Sequence, residues 1–205
     1  MESDQEIKDR ICTAAMEQFY IYGFNKVTVD EIAAKLGMSK KTIYKYFPSK
    51  DELVQEVTRM TIAKMDVCCQ SFLKDETTDF VVKLKNMMTF VAVQYAKMGR
   101  PLMEDLEKNA PHIWKEIDEY RARSIMLYFN NLLKEGVAKG VFRSDVDREL
   151  ILMIYNNTIQ NIIRPEVLSQ VPFTAAQVFE AIIKIIFEGI LTDEAKPRYL
   201  SNNAL

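Results

Sequence analysis

Apolar side chains recur along this chain at three- and four-residue intervals, and runs of strict alternation are missing. That period places apolar residues on one face of a helix. Ile7, Ile11, Ala14, Ala15, Phe19 and Tyr22 predict a first helix over 5–22, closed by Gly23. Thr28-Val-Asp-Glu31 has the form of a capping box and opens a second helix, which Gly37 ends. Ser39 caps a third helix over 39–47. Ser49-Lys-Asp-Glu52, after Pro48, opens a long fourth helix carrying Leu53, Val57 and Met60 on one face. Further helices are predicted over 79–98, 101–108, 109–139 and 146–164, and from Thr174-Ala-Ala-Gln177 to Leu191. The tail from Asp193 onward is polar and predicts a frayed end. The pattern predicts an all-α protein of nine helices, with no strand and no internal repeat.

The second and third helices form a helix-turn-helix. Ile32, Ala33, Leu36, Met38, Ile43 and Phe47 supply its inward positions, while Lys35, Lys40, Lys41, Lys45 and Lys50 bring positive charge to a stretch without an acid. With Ile43 inward, a helical period sends Lys41 and Lys45 to the opposite face and Thr42 and Tyr44 to its flanks. Such a face meets phosphates or base edges in a major groove. Ser39 and Lys40 sit at the helix N-terminus, whose free N–H groups suit a phosphate, and Lys50 is placed for a similar contact. The alternative for the lysines is a solvated face, and for Tyr44 and Tyr46 simple packing. The formal net charge of −2 does not oppose DNA binding, because the attraction depends on the local field.

The run from Gly23 to Leu53, and above all its ending Tyr44-x-x-Phe47-x-x-Lys50, resembles the N-terminal domain of the tetracycline-repressor (TetR) family. The resemblance implies a three-helix DNA-binding domain over 1–48 and a helical effector-binding and dimerisation domain over 49–205. It also implies that Thr28, Ser39, Thr42, Tyr44 and Lys50 contact DNA, mostly at phosphates. Two residues depart from the family pattern: Lys41 stands where glycine is common, and Tyr46 where histidine is common. Operator preference is therefore not transferable from relatives.

The helices over 146–164 and 175–191 are apolar on nearly all sides, where one stripe suffices to cover a core. They predict pairing with their copies across a two-fold axis, giving a homodimer; central burial within one protomer is the alternative. The middle of the chain is rich in deformable side chains, and with the TetR-like body it suggests a cavity for a largely apolar small molecule. Met88, Tyr95, Met103, Trp114, Tyr120 and Met126 are candidate lining residues, with Asn157 and Gln160 from an amide cluster in the helix over 146–164. Ordinary core packing is the competing reading for each. The amides alternatively bond across the dimer or line a wet face.

Composition narrows the field. Hydrophobic residues at 48% allow a substantial core, yet no apolar run reaches the ~18–20 residues that span a membrane. The acidic N-terminus lacks the form of a secretory leader, so the cytoplasm is the expected location. One histidine and the cysteines Cys12, Cys68 and Cys69 offer no metal-ligand spacing, and no metal or cofactor is expected. The adjacent cysteines read as packing residues, with a redox pair as the alternative. No phosphate-cradling glycine loop or nucleophile–base pair stands out, which argues against an enzyme. The expected function is a homodimeric repressor on a palindromic DNA operator, released by a small apolar effector. The alternatives are a regulator without an effector, or an activator.

Overall fold

The computed structural model describes residues 2–200. The first helices are α1 (Asp4–Tyr22), α2 (Val29–Leu36), α3 (Lys40–Tyr46), α4 (Lys50–Lys74), α5 (Phe80–Lys97) and α6 (Arg100–Asn109). A long helix follows as α7 (Pro111–Ser124), a π-helical turn (Ile125–Phe129) and α8 (Asn130–Ala138). The remainder comprises α9 (Arg148–Ile162), α10 (Pro165–Leu168), α11 (Ala175–Ile190) and α12 (Ala195–Leu200). All nine expected helices are present among the described residues, the long one interrupted by its π turn. The fold is all-α, and the described residues contain no strand beyond an isolated antiparallel bridge, Phe142–Leu191.

Two elements correct the sequence expectation. α10 begins at Pro165, a residue well suited to a first helical position. α12 occupies part of the supposedly frayed tail. It buries Ala195 and Tyr199, sets the Tyr199 ring edge-on to Phe187 at 6.2 Å, and lets Arg198 donate to Asp79 at 2.7 Å. Two buried residues in so short a helix are too few to register as periodicity.

The chain divides into two compact units. The first comprises Met1–Lys64 and Lys97–Ile117, so it extends past the boundary expected at residue 48 and includes α6. The reason is direct packing of α6 on α1. Ile11, Ala15 and Phe19 of α1, Ile32 and Ala33 of α2, Ile43 of α3 and Leu53 of α4 are buried in this unit. Leu36 and Met38, expected inward, are only half-buried. Gly37 closes α2 in the left-handed region (φ 64°), and its N–H reaches the carbonyls of Ala33 and Ala34. A Cβ at Gly37 would meet nothing within 4 Å, so a substitution there strains only the backbone. Gly37→Ala is expected to cost about 1–2 kcal/mol, read as a lower melting temperature with an unchanged folded spectrum.

The second unit comprises Met65–Ala96 and Asp118–Leu205. Its interior is aromatic. Phe187 is stacked on Phe142 (5.8 Å), Phe129 lies 5.8 Å from Phe187 and 4.3 Å from Tyr155, and Phe80 packs edge-on to Phe142 at 5.6 Å. Beside it lies a buried ion pair. Lys83, 2% exposed, donates to both Glu135 oxygens at 2.8 and 2.7 Å and to the Asp75 carbonyl at 3.1 Å.

Candidate nucleic-acid interface

Three caps build the reading head. Thr28 accepts from the Glu31 N–H at 3.2 Å while the Glu31 carboxylate accepts from the Thr28 N–H at 2.7 Å, completing the capping box. Ser39 accepts from the Thr42 N–H at 3.0 Å and starts α3. At the entrance of α4, Ser49 accepts from the Glu52 N–H at 3.1 Å. Ile43 and Phe47 then anchor α3 in the core. Lys41, Tyr44 and Lys45 consequently stand exposed, with Thr42 half-buried at their edge. The described residues give neither Lys41 nor Lys45 a carboxylate partner, and the Lys45 amine lies 5.1 Å from the Tyr46 ring centre.

The other expected contact residues are already engaged within the protein. The Thr28 hydroxyl bonds Glu31 at 2.9 Å, and the Ser39 and Thr42 hydroxyls bond each other at 2.8 Å. Lys40 pairs with Asp30 at 2.7 Å, whose hydrogen bond and charge raise the lysine pKa. Lys50 donates to the Asn25 carbonyl at 3.1 Å. Partial burial draws its pKa down, while the charges of Asp105 and Glu31 act in the opposite sense. The eight residues thus share one unit but fall into two kinds: an open row on α3, and a rim whose polar groups carry internal bonds. Sequence reasoning weighed Tyr46 between DNA contact and packing; its hydroxyl donates to Asp4 at 2.8 Å and ties the end of α3 to the start of α1.

The candidate effector residues are divided between the two units. Met103 and Trp114 belong to the first unit; Met88, Tyr95, Tyr120, Met126, Asn157 and Gln160 belong to the second. Met88, Met103, Trp114 and Tyr120 are buried, and Tyr95 and Gln160 half-buried. Tyr95 packs against Phe179 at 5.0 Å and lies beneath the Arg121 guanidinium. Met126 is 54% exposed, and Asn157 is exposed with its amide returned to the Met153 carbonyl at 2.9 Å. Both therefore lie on outward faces, which for Asn157 is the wet-face alternative. Burial pushes the thiols of Cys12 and Cys69 up to about 12, which leaves them protonated and unreactive at neutral pH. Among the described residues, no cluster of His, Cys, Asp and Glu suits a metal, and no helix is long and apolar enough to cross a membrane.

A capped two-helix unit that buries one face and turns two lysines and a tyrosine outward from its second helix defines a helix-turn-helix DNA-binding regulator. Residues 11–57 match the family described as bacterial regulatory proteins, tetR family. The matched residues take in α2, α3 and the entrance of α4, so the likeness to that family is carried by the helix-turn-helix. The chain is 28% identical over 167 residues to the uncharacterized HTH-type transcriptional regulator YvaF of Bacillus subtilis, covering 82% of this chain and 87% of that protein. It is 27% identical over 186 residues to the HTH-type transcriptional repressor KstR2 of Mycolicibacterium smegmatis, covering 89% and 90%. The fold matches a TetR-family regulator from Agrobacterium tumefaciens with a TM-score of 0.68 at 19% identity, covering 93% of this chain and all of that one.

Proposed function

We propose that this protein is a cytoplasmic homodimeric repressor that holds a palindromic operator through α3 and releases it on binding a largely apolar small molecule. The observation that carries the reading is the open row of Lys41, Tyr44 and Lys45 on a helix locked from behind by Ile43 and Phe47. Similarity to the KstR2 repressor supports repression as the sense of regulation. The dimer is supported by α9, which buries Ile151, Leu152, Tyr155 and Ile159 yet leaves Leu150, Met153 and Ile154 more than half exposed. On α11, Ile185 is 73% exposed. An apolar stripe on the far side of a packed helix needs a second partner, and a copy of the same chain supplies a self-complementary one. Two reading heads on a symmetric body would recognise two half-sites, gaining specificity over one. The buried Met88 and Tyr120 and the half-buried Tyr95 support an apolar effector site in the second unit.

Selection of bound duplexes from a random pool tests the reading, with sedimentation of the free protein alongside. An enriched palindrome and a dimer at micromolar concentration are the expected results. Failure to enrich any sequence, or a monomer, would defeat the corresponding part. Lys41→Ala and Lys45→Ala are each expected to weaken operator binding about tenfold at physiological salt. Each should flatten the salt dependence by about one unit of slope per phosphate contact removed. An effector is recognised as a small apolar compound that raises the melting temperature while lowering operator affinity.

A further inference from the structure

We propose that Asp105 on α6 is a positioning residue for DNA binding, holding through its N–H the residue Asn25, whose carbonyl seats the amine of Lys50. The proposal rests on the reading of Lys50 as a DNA contact. Lys50 Nζ donates to the Asn25 carbonyl at 3.1 Å and lies 5.8 Å from the Phe24 ring centre. An ammonium group has three donors, so this bond aims the amine and leaves two for a phosphate. The seat itself lies in the connection between α1 and α2, outside either helix. Its N–H is fixed from the other side: Asp105 Oδ2 accepts it at 2.8 Å across eighty positions of sequence. The two peptide groups that flank the Asn25 Cα, one donating and one accepting, therefore join α6 to the entrance of α4.

The approach of α6 is close enough to make that bond specific. At Gly23 (φ 78°) a Cβ would overlap Asp105 Oδ2 and stand 3.0 Å from the Pro101 carbonyl. At Gly99 a Cβ would meet the Tyr20 carbonyl at 2.6 Å. Asn109 Nδ2 donates to the second Asp105 oxygen at 3.4 Å and helps hold the carboxylate. Among the described residues no other side chain bonds the Asn25 N–H. Loss of the carboxylate frees the Phe24–Asn25 peptide, and the Asn25 backbone dihedrals pass that freedom to the adjoining carbonyl that seats the lysine.

The test is a double-mutant cycle on a labelled duplex recovered by selection with the parent protein. Asp105→Ala is expected to weaken binding about tenfold, the size of one lost charge-assisted hydrogen bond. Asp105→Asn, whose amide carbonyl can still accept the Asn25 N–H, is expected to stay within about threefold of the parent. In a Lys50→Ala background, Asp105→Ala should change binding by less than about threefold, because the group it positions is gone. Circular-dichroism melts of each variant separate unfolding from loss of positioning, and the asparagine variant keeps the question open to measurement if the alanine variant does not fold. Equal losses with and without Lys50 would overturn the proposal, as would an asparagine variant as weak as the alanine one. Unchanged binding by Asp105→Ala would overturn it alone. Failure of the parent to enrich any duplex would overturn this proposal together with the DNA reading.

Discussion

Glu135→Leu is expected to destabilise the second unit by about 3–5 kcal/mol, because it strands the Lys83 ammonium in the interior. Lys83 would retain only the Asp75 carbonyl at 3.1 Å and the face of the Phe80 ring, 5.8 Å from its centre. Removing the other partner should be milder. After Lys83→Met, Glu135 keeps Lys139 at 3.0 Å and, at 26% exposed, keeps access to water. The pair Lys83→Met with Glu135→Leu should recover most of the loss, since apolar replacements of a buried pair are often neutral. Urea denaturation of the three variants measures the asymmetry, and equal losses from the two single changes would refute it. The pair also confers a pH dependence. Burial pushes the Glu135 pKa up, but hydrogen bonds from Lys83 and Lys139 outweigh it and hold the group below its usual 4.5. The unfolded chain therefore binds this proton more readily than the folded one. The stabilisation is complete above about pH 4.5 and is lost as pH falls through the depressed folded value. Lys83→Met should weaken that acid sensitivity.

Phe187→Ala is expected to cost about 3–5 kcal/mol, a loss comparable with the best-packed aromatic truncations. Phe187 is fully buried, stacked on Phe142 and flanked by Phe129 and Tyr199. These neighbours sit on three separate segments of the second unit, so the vacancy cannot close by moving a single side chain. Phe187→Leu, which retains most of the volume, should cost under about 2 kcal/mol. Calorimetry of both variants reads the difference. A loss below about 1 kcal/mol for the alanine variant would show that the ring cluster does not behave as one packed core.

The head of the molecule was legible in sequence because its signals are local. Thr28 and Glu31 lie three positions apart, as do Ser39 and Thr42, and Ile43 and Phe47 share one face within a turn. The period of α9 likewise exposed its two apolar sides. What escaped the sequence lies between residues distant along the chain. Nothing in the pattern joins Asn25 to Asp105, Asp4 to Tyr46, or Lys83 to Glu135. Lys40 was expected to be open, yet Asp30 occupies it from the preceding helix. The placement of the effector candidates was hidden for a related reason. Residue type marks a side chain as deformable, but Met126 and Trp114 differ in where they point, and Met103 and Met88 in the unit they join. α12 escaped for want of length.

The π turn at Ile125–Phe129 changes how the long helix can be compared with any relative. One residue more than an α-turn requires is spent there, so α8 is rotated by about 100° from the course set by residues 118–124. That rotation sets the faces on which Leu132, Leu133 and Gly136 are buried and Glu135 meets Lys83. A homologue of equal length that ran through this turn as a regular α-helix would align without a gap, yet present a different face at every later position. Correspondence by position downstream of Phe129 therefore holds only among chains that keep this phase.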